Sequence, residues 1–325
     1  MTGMNADPVR FGILGCGRIA AGSIAPAIRA VPDAVLAAAA SREQGRAAAL
    51  MPHRAYGNYA ALLNDPEVEV VYVAAHNGEH RNLTLAALAA GKHVICEKPL
   101  GRDPAEVVEM TRAAASSGRE LVEAFMYRFH PQMARLKELI AEGAIGDLQR
   151  VDSLFTFKLA GADDVRMVKE WGGGALMDVG CYCTDFTMRV LGREPLEVAV
   201  DAARFDPRQD VDLHLKARMA WEGGVEAAFE CGFDAPFAQR AVVRGSLGSI
   251  TLEHPWVTWQ ERPHMVLETA AGRKFLDAGF PSPFEMEIAH MARLVRGREP
   301  ARFPLSDTLA TSRVMERVLA AARAL

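Results

Sequence analysis

Five cysteines in 325 residues are too few and too scattered for a disulfide scaffold or a structural zinc. Cys16, Cys96, Cys181, Cys183 and Cys231 are odd in number, none forms a CxxC, and no Cys/His cluster has zinc-ligand spacing. No metal is expected, and the thiols are expected to be reduced, as in a cytoplasmic protein. Long apolar runs are missing too. The longest blocks, Ala34 to Ala40 and Val70 to Ala75, are strand-length, far short of the ~18 residues that cross a bilayer. The first ten residues lack the basic-then-apolar layout of a signal peptide. There is no surplus of positive charge: 37 Lys and Arg against 41 Asp and Glu give −4. Nucleic acid and anionic membranes are therefore not expected as partners.

What is present is ordinary globular composition, half apolar and 24% charged, in a chain long enough for about two domains. Up to about residue 124, short β-rich runs at 9–14, 35–40, 68–74, 93–96 and 120–124 alternate with helical patterns at 18–30, 43–50, 82–90 and 104–117. That alternation is the pattern of a parallel α/β sheet. Pro26 should kink or shorten the first helix. After residue 125 come a helix at 131–142, another from near Cys181, and consecutive strands over about 196–276. Helices near 284–296 and 306–324 close the chain, the last with Ser306 as a plausible N-cap. The expectation is an α/β protein of two domains, 1–124 and 125–325, the second with one large sheet.

The segment Gly15-Cys16-Gly17-Arg18-Ile19-Ala20 follows the first strand and fits G-x-G-x-x-A. Gly15 permits the tight turn, Gly17 lets backbone approach a pyrophosphate, and Ala20 allows close helix–strand packing. The helix start offers free N–H groups to phosphates. The second strand then ends Ala40-Ser41-Arg42, without the acid that accepts the ribose hydroxyls of NAD. Ser41 and Arg42, with Arg46 one turn later, suit a 2′-phosphate and hence NADP. Arg42 and Arg46 are alternatively solvated helix residues, and Glu43 leaves room for NAD.

Further along, His93-Val94-Ile95-Cys96 runs into Glu97-Lys98-Pro99, which sets Lys98 at the carboxyl end of a strand, where ligands bind in such sheets. Gly172-Gly173-Gly174 opens a second constellation, with Asp178 and Tyr182 four residues apart. The glycines would let backbone approach a ligand, and Asp178 and Tyr182 would share a helix face. A tyrosine hydroxyl beside an ammonium is suited to proton transfer at a hydroxyl or carbonyl. A structural cap at Asp178 and a buried Tyr182 read equally well from spacing alone.

Taken together, GxGxxA, Glu97-Lys98-Pro99 and the GGGxxxDxGxY run resemble the Gfo/Idh/MocA oxidoreductase family, over essentially the whole chain. Glu123 to Pro131 and the tyrosine at 182 are most similar to its NADP-dependent D-xylose dehydrogenase, dihydrodiol dehydrogenase and glucose–fructose oxidoreductase branch. The resemblance implies a Rossmann domain, a doubly wound parallel sheet, followed by an α/β domain whose large, mostly antiparallel open sheet often forms a homodimer or homotetramer. It implies bound NAD(P) and hydride exchange with a carbohydrate, polyol or diol. Lys98 and Tyr182 match the family's catalytic lysine and acid/base, Asp178 the acid lining the substrate site, and Lys98-Pro99 is implied to be a cis peptide.

The loop Ala75-His76-Asn77-Gly78-Glu79-His80 departs from the family's usual Thr-Pro-Asn, yet by position should pass under the cofactor. His80 either bonds near the nicotinamide or caps the next helix. Arg128 and Trp171 are candidates for the nicotinamide or substrate border, whereas Cys181 and Cys183 are better read as core. The expected activity is hydride transfer between NADP and a sugar or cyclic vicinal diol. The alternatives are a family member that recycles its cofactor within one turnover, such as a glycosidase or epimerase, and a non-enzymatic NADP-binding redox sensor.

Overall fold

The computed structural model describes residues 7–161 and 164–325, which fall into two compact units. One takes the chain through residue 101, then 105–126 and 284–305; the other takes 102–104, 127–283 and 306–325. The chain passes from the first unit to the second between residues 126 and 127, and the first unit also takes in a late helix.

The first unit alternates β1 (Val9–Leu14), α1 (Ala25–Ala30), β2 (Ala34–Ala40), α2 (Gln44–Ala48), β3 (Arg54–Tyr56), α3 (Tyr59–Leu63), β4 (Val70–Val73), α4 (Asn77–Ala89), β5 (His93–Glu97), α5 (Pro104–Ser117) and β6 (Leu121–Ala124). The six strands are all parallel, in the order β3-β2-β1-β4-β5-β6. This is the doubly wound dinucleotide-binding order, with its switch point between β1 and β4. Val70, Val71, Tyr72 and Val73 are all completely buried, as both faces of such a sheet require. Gly12 has a packing reason: a Cβ there would meet Leu62 Cδ2 at 2.9 Å, so its absence lets α3 lie close on β1.

Pro26 does not end its helix. A π-turn over Ala20–Ile24, closed by Ala25 N–H to Ala20 O, precedes it, and Pro26 takes a first-turn position of α1, where an N–H is not needed. Short β3 and α3 had no distinct signature in the sequence. Helix α4 starts five residues before the expected 82 because His76, extended, stands at its N-cap.

In the second unit, α6 (Pro131–Ala141) precedes β7 (Leu148–Lys158) and α7 (Cys181–Leu191). Strands β8 (Glu197–Phe205), β9 (Asp212–Ala220), β10 (Glu226–Gly232), β11 (Asp234–Gly245), β12 (Gly248–Leu252), β13 (His264–Thr269) and β14 (Gly272–Asp277) follow. They form an eight-stranded sheet, β14-β13-β12-β11-β7-β10-β9-β8, antiparallel except for β7 with β10. The expected strand region thus misses β7, whose Arg150-Val151-Asp152-Ser153 mixes both faces and presents no apolar run. Val151, Leu215, Met219, Phe229 and Cys231 are buried on the face that α7 covers. The alternate positions carry ion pairs, Arg150–Glu226 and Lys216–Glu230 at 3.0 Å and Arg218–Asp201 at 2.7 Å.

Helix α8 (Pro283–Val295) belongs to the first unit beyond its opening proline. Just after it, Arg296 Nη1 reaches Glu69 Oε1 at 2.7 Å and its Nη2 reaches Asp7 O, which ties this late segment to the first unit. Helix α9 (Leu305–Arg323) starts one residue before Ser306. Ser306 therefore lies inside the first turn, beside Asp307, and is not the N-cap expected from its sequence position.

Candidate active site

The first unit gathers its candidate residues at the carboxyl ends of its strands. Gly15 has φ +91°, and a Cβ there would lie 2.6 Å from Ala74 O, so only glycine lets the turn after β1 sit against the end of β4. Gly17 has open space where a Cβ would be, and Ala20 is fully buried against the sheet. Arg18 is exposed and Ile19 half-buried at the helix start, which leaves this turn an approachable cradle that fits a dinucleotide pyrophosphate.

At the tip of β2, Ser41 is buried and its Oγ accepts the Glu43 N–H at 3.3 Å, turning the chain into α2. Arg42 and Arg46 are exposed beyond it. Arg46 Nη2 lies 3.4 Å from Cys16 O, which brings a guanidinium over the glycine turn itself. Tyr59 was not anticipated: burial raises its pKa, and Arg42, Cys16, Glu79 and Arg46 all act on it, so it belongs to the same neighbourhood. A tyrosine opening a five-residue helix gave no signal in the sequence.

The loop after β4 carries Ala75, His76 and Asn77, all half-buried. His80 neither caps α4 nor stands free for a ligand. It is completely buried, with Nδ1 2.9 Å from Pro99 O and Nε2 3.1 Å from Ala75 O, stitching this loop to the turn after β5. Burial lowers its pKa to about 4 against the pull of those carbonyls, so it is neutral at pH 7. In that turn the Lys98–Pro99 peptide is cis. Glu97 accepts the Tyr72 hydroxyl at 2.9 Å and the Lys98 N–H at 3.3 Å, and Glu123 accepts the Leu100 N–H at 3.0 Å. Lys98 is therefore flanked by backbone fixed on both sides.

In the second unit, Tyr182 opens α7 within an aromatic shell. Its ring lies 5.5 Å from Phe155, 5.8 Å from Tyr127 and 6.0 Å from Trp256. Asp178 is half-buried on the π-turn Leu176–Gly180 that leads into α7. It makes no cap; its Oδ2 accepts from Arg166 Nε at 2.6 Å, and Arg166 Nη1 also reaches Asp164 at 3.0 Å. Arg166 was not singled out from the sequence, where it reads as one more loop arginine.

Two glycines of the run have a packing reason. A Cβ on Gly173 would lie 2.3 Å from Arg166 O, and one on Gly174 (φ +117°) would lie 2.1 Å from Asp212 Oδ1. Gly180 similarly makes room for Cys231 Sγ.

The Arg128 guanidinium is buried and bonded to Asp185, Nε to Oδ2 at 3.0 Å and Nη2 to Oδ1 at 2.7 Å. Trp171 is exposed on the short turn before Gly172. All five cysteines are buried and outside any disulfide; Cys183 is pushed up to about 12 by burial. Among the described residues no cluster of His, Cys, Asp or Glu could hold a metal, and no helix is long and apolar enough to cross a membrane.

Comparison with known proteins gives two family matches, an oxidoreductase-family NAD-binding Rossmann fold over residues 9–125 and a GFO/IDH/MocA C-terminal domain over 133–251. The chain is 33% identical over 315 residues to a D-xylose 1-dehydrogenase (NADP(+)) of Haloferax volcanii, covering 95% of each. It is 34% identical over 256 residues to a trans-1,2-dihydrobenzene-1,2-diol dehydrogenase of Mus musculus, covering 76% of this chain and 75% of the other. Among solved structures, a 3-ketoreductase from Actinomadura kijaniata in complex with NADP and TDP-benzene superposes with a TM-score of 0.89 at 28% identity, covering 97% of this chain and 98% of that one.

Proposed function

The chain belongs to the GFO/IDH/MocA oxidoreductase family, and from that premise we propose that it is an NADP-dependent dehydrogenase of a sugar or cyclic vicinal diol. The observation that carries the reading is Tyr182, a phenol set among Phe155, Tyr127 and Trp256 four residues after an Asp178 that Arg166 holds at 2.6 Å. The apolar rings suit the C–H face of a pyranose or cyclohexadiene ring, and the polar pair suits its hydroxyls.

In this reading Tyr182 takes the proton from the substrate hydroxyl in the oxidative direction, and Lys98 is the second catalytic group that the family resemblance implies. Asp178 orients a neighbouring hydroxyl, with Arg166 fixing which carboxylate oxygen faces it. The dinucleotide supplies the hydride acceptor when bound. Gly15, Gly17, Arg18 and Ile19 would hold its pyrophosphate, Ser41, Arg42 and Arg46 its 2′-phosphate, and Ala75, His76, Asn77, Glu97 and Lys98 its nicotinamide half. Trp171, exposed before Gly172, would border the nicotinamide or substrate pocket. NADP is favoured over NAD because β2 ends in Ser41-Arg42 with no acid, while Arg46 reaches over the glycine turn.

The ion-paired, uncovered face of the eight-stranded sheet is assigned to a homodimer or homotetramer contact. Five buried cysteines outside any disulfide fit a reducing cytoplasm.

The test is a spectrophotometric screen of the purified protein with NADP and NAD in parallel, against aldoses, polyols and cyclic vicinal diols. Reduced nicotinamide appearing with NADP and a pyranose or diol is the expected result. Silence across the panel despite tight NADP binding would overturn the reading.

A further inference from the structure

The segment that carries Asp178 and Tyr182 begins on a buried carboxylate from another part of the chain. Asp212, the first residue of β9, is only 3% exposed, and its Oδ2 accepts the Leu176 N–H at 2.6 Å. The Ala175 N–H is directed to the same carboxylate. These N–H groups are the orphan donors at the start of a helical run that continues from Leu176 through Leu191. A cap normally comes from the residue just before the helix; here Ala175 occupies that place and cannot supply one.

The surrounding chain is shaped around this contact. Gly174 has no Cβ where Asp212 Oδ1 sits, and its N–H is held by Arg166 O at 2.9 Å. Six residues on, Gly180 lies against Cys231 on the neighbouring strand β10. The π-turn therefore has one register on the sheet, pinned at its start by Asp212 and at its end by the Gly180–Cys231 contact. Asp178 lies two residues beyond Leu176, and Tyr182 six.

We propose that Asp212 is a positioning residue for the reaction: its carboxylate, by binding the Ala175 and Leu176 amides, sets where Asp178 and Tyr182 stand. This rests on the assignment of Tyr182 as acid/base above.

Burial pushes the Asp212 carboxyl up to about 6, against the amides and Arg323, which favour its charge. The charged and titratable groups around it are few. Arg323 of α9 is itself paired with Asp210 at 3.0 Å, and Asp210 also binds Lys169. The Cys231 thiol is held neutral by burial and by the Asp212 charge. Protonation would leave one carbonyl oxygen as acceptor for two N–H donors, so the clamp weakens as pH falls through about 6.

The experiment uses the full-length protein with NADP and the best substrate of the panel, comparing wild type, Asp212→Asn and Tyr182→Phe. Asp212→Asn is expected to speed amide exchange at Ala175 and Leu176 at least tenfold and to lower kcat at least tenfold. Its NADP Kd should stay within twofold, and its hydride-transfer rate should lose the acid limb expected near pH 6 in wild type. Unchanged exchange, or unchanged kcat with faster exchange, overturns the proposal. If the Asn variant does not fold, wild type is followed from pH 8 to 5: protection of the two amides and hydride transfer must fall together, and independent behaviour overturns it. Persistent turnover in Tyr182→Phe would instead sink the acid/base assignment, while the exchange result would still report on the Asp212 contact.

Discussion

Arg128 grips Asp185 at two points, Nε to Oδ2 at 3.0 Å and Nη2 to Oδ1 at 2.7 Å, with both side chains almost wholly buried. Tyr127 and Arg189 converge on the same carboxylate, and the Tyr127 ring lies tilted against Tyr182 at 5.8 Å, so this charged knot stands behind the candidate acid/base. Burial alone would raise the Asp185 pKa, but the two guanidiniums and their bonds hold it at about 2.

Removing one partner of such a knot leaves an uncompensated buried charge, which costs about 3–5 kcal/mol. Arg128→Ala and Asp185→Asn should each lower the urea midpoint accordingly at pH 7. Because the folded pKa is depressed, the Asp185 contribution is fully present above the unfolded aspartate value and is lost as pH falls toward about 2. Asp185→Asn should therefore show a weaker acid loss of stability than wild type in melts below pH 4. Parallel acid curves for the two proteins would contradict the assignment.

Cofactor choice is tested at the tip of β2. A charge-assisted bond to phosphate is worth about 1.5–3 kcal/mol, or roughly 10- to 100-fold in affinity. Arg42→Ala should weaken NADP by that order in a fluorescence titration and leave NAD nearly unchanged. Equal losses for both would assign Arg42 to the shared adenosine half instead.

The Gly172-Gly173-Gly174 run marks the limit of what local sequence reveals. As a motif it was legible, and so was its link to Asp178 and Tyr182. Its purpose was not: the atoms that forbid a Cβ there, Arg166 O and Asp212 Oδ1, come from segments whose proximity only the fold creates. The same holds for Arg166 and Asp185, ordinary charged residues until a partner arrives from elsewhere in the chain. The parallel sheet, by contrast, was readable because its buried strands are apolar throughout and its turn after β1 has a local glycine signature. Strand β7 escaped because it alternates charged and apolar residues and pairs with strands up to 97 positions away, Leu148 with Gly245.

Gly174→Ala tests that packing directly. The new methyl would fall 2.1 Å from Asp212 Oδ1 at a residue with φ +117°. Strain of this backbone kind costs about 1–3 kcal/mol before any clash is counted. The variant should melt lower and lose turnover, while the first unit's NADP binding persists. An unaltered melting temperature with normal turnover would show that the turn has another way to relax.

His80 makes the stability of the first unit depend on pH in a predictable direction. Buried between two carbonyls it titrates at about 4, below the ordinary 6.5 of an unfolded histidine. Between those values the unfolded chain binds the extra proton, so stability from this group is complete above about 6.5 and drains as pH falls toward 4. The slope approaches about 1.4 kcal/mol per pH unit at its steepest. His80→Gln keeps a hydrogen-bonding side chain but has no proton to gain. Its urea midpoint should lie below wild type at pH 7.5, and the gap should shrink steadily by pH 5. A constant gap across that range would mean that His80 titrates alike in the folded and unfolded chain, and a gap that widens as pH falls from 7.5 to about 6.5 would mean that the stitch between Ala75 and Pro99 is made by an imidazolium donating from both nitrogens.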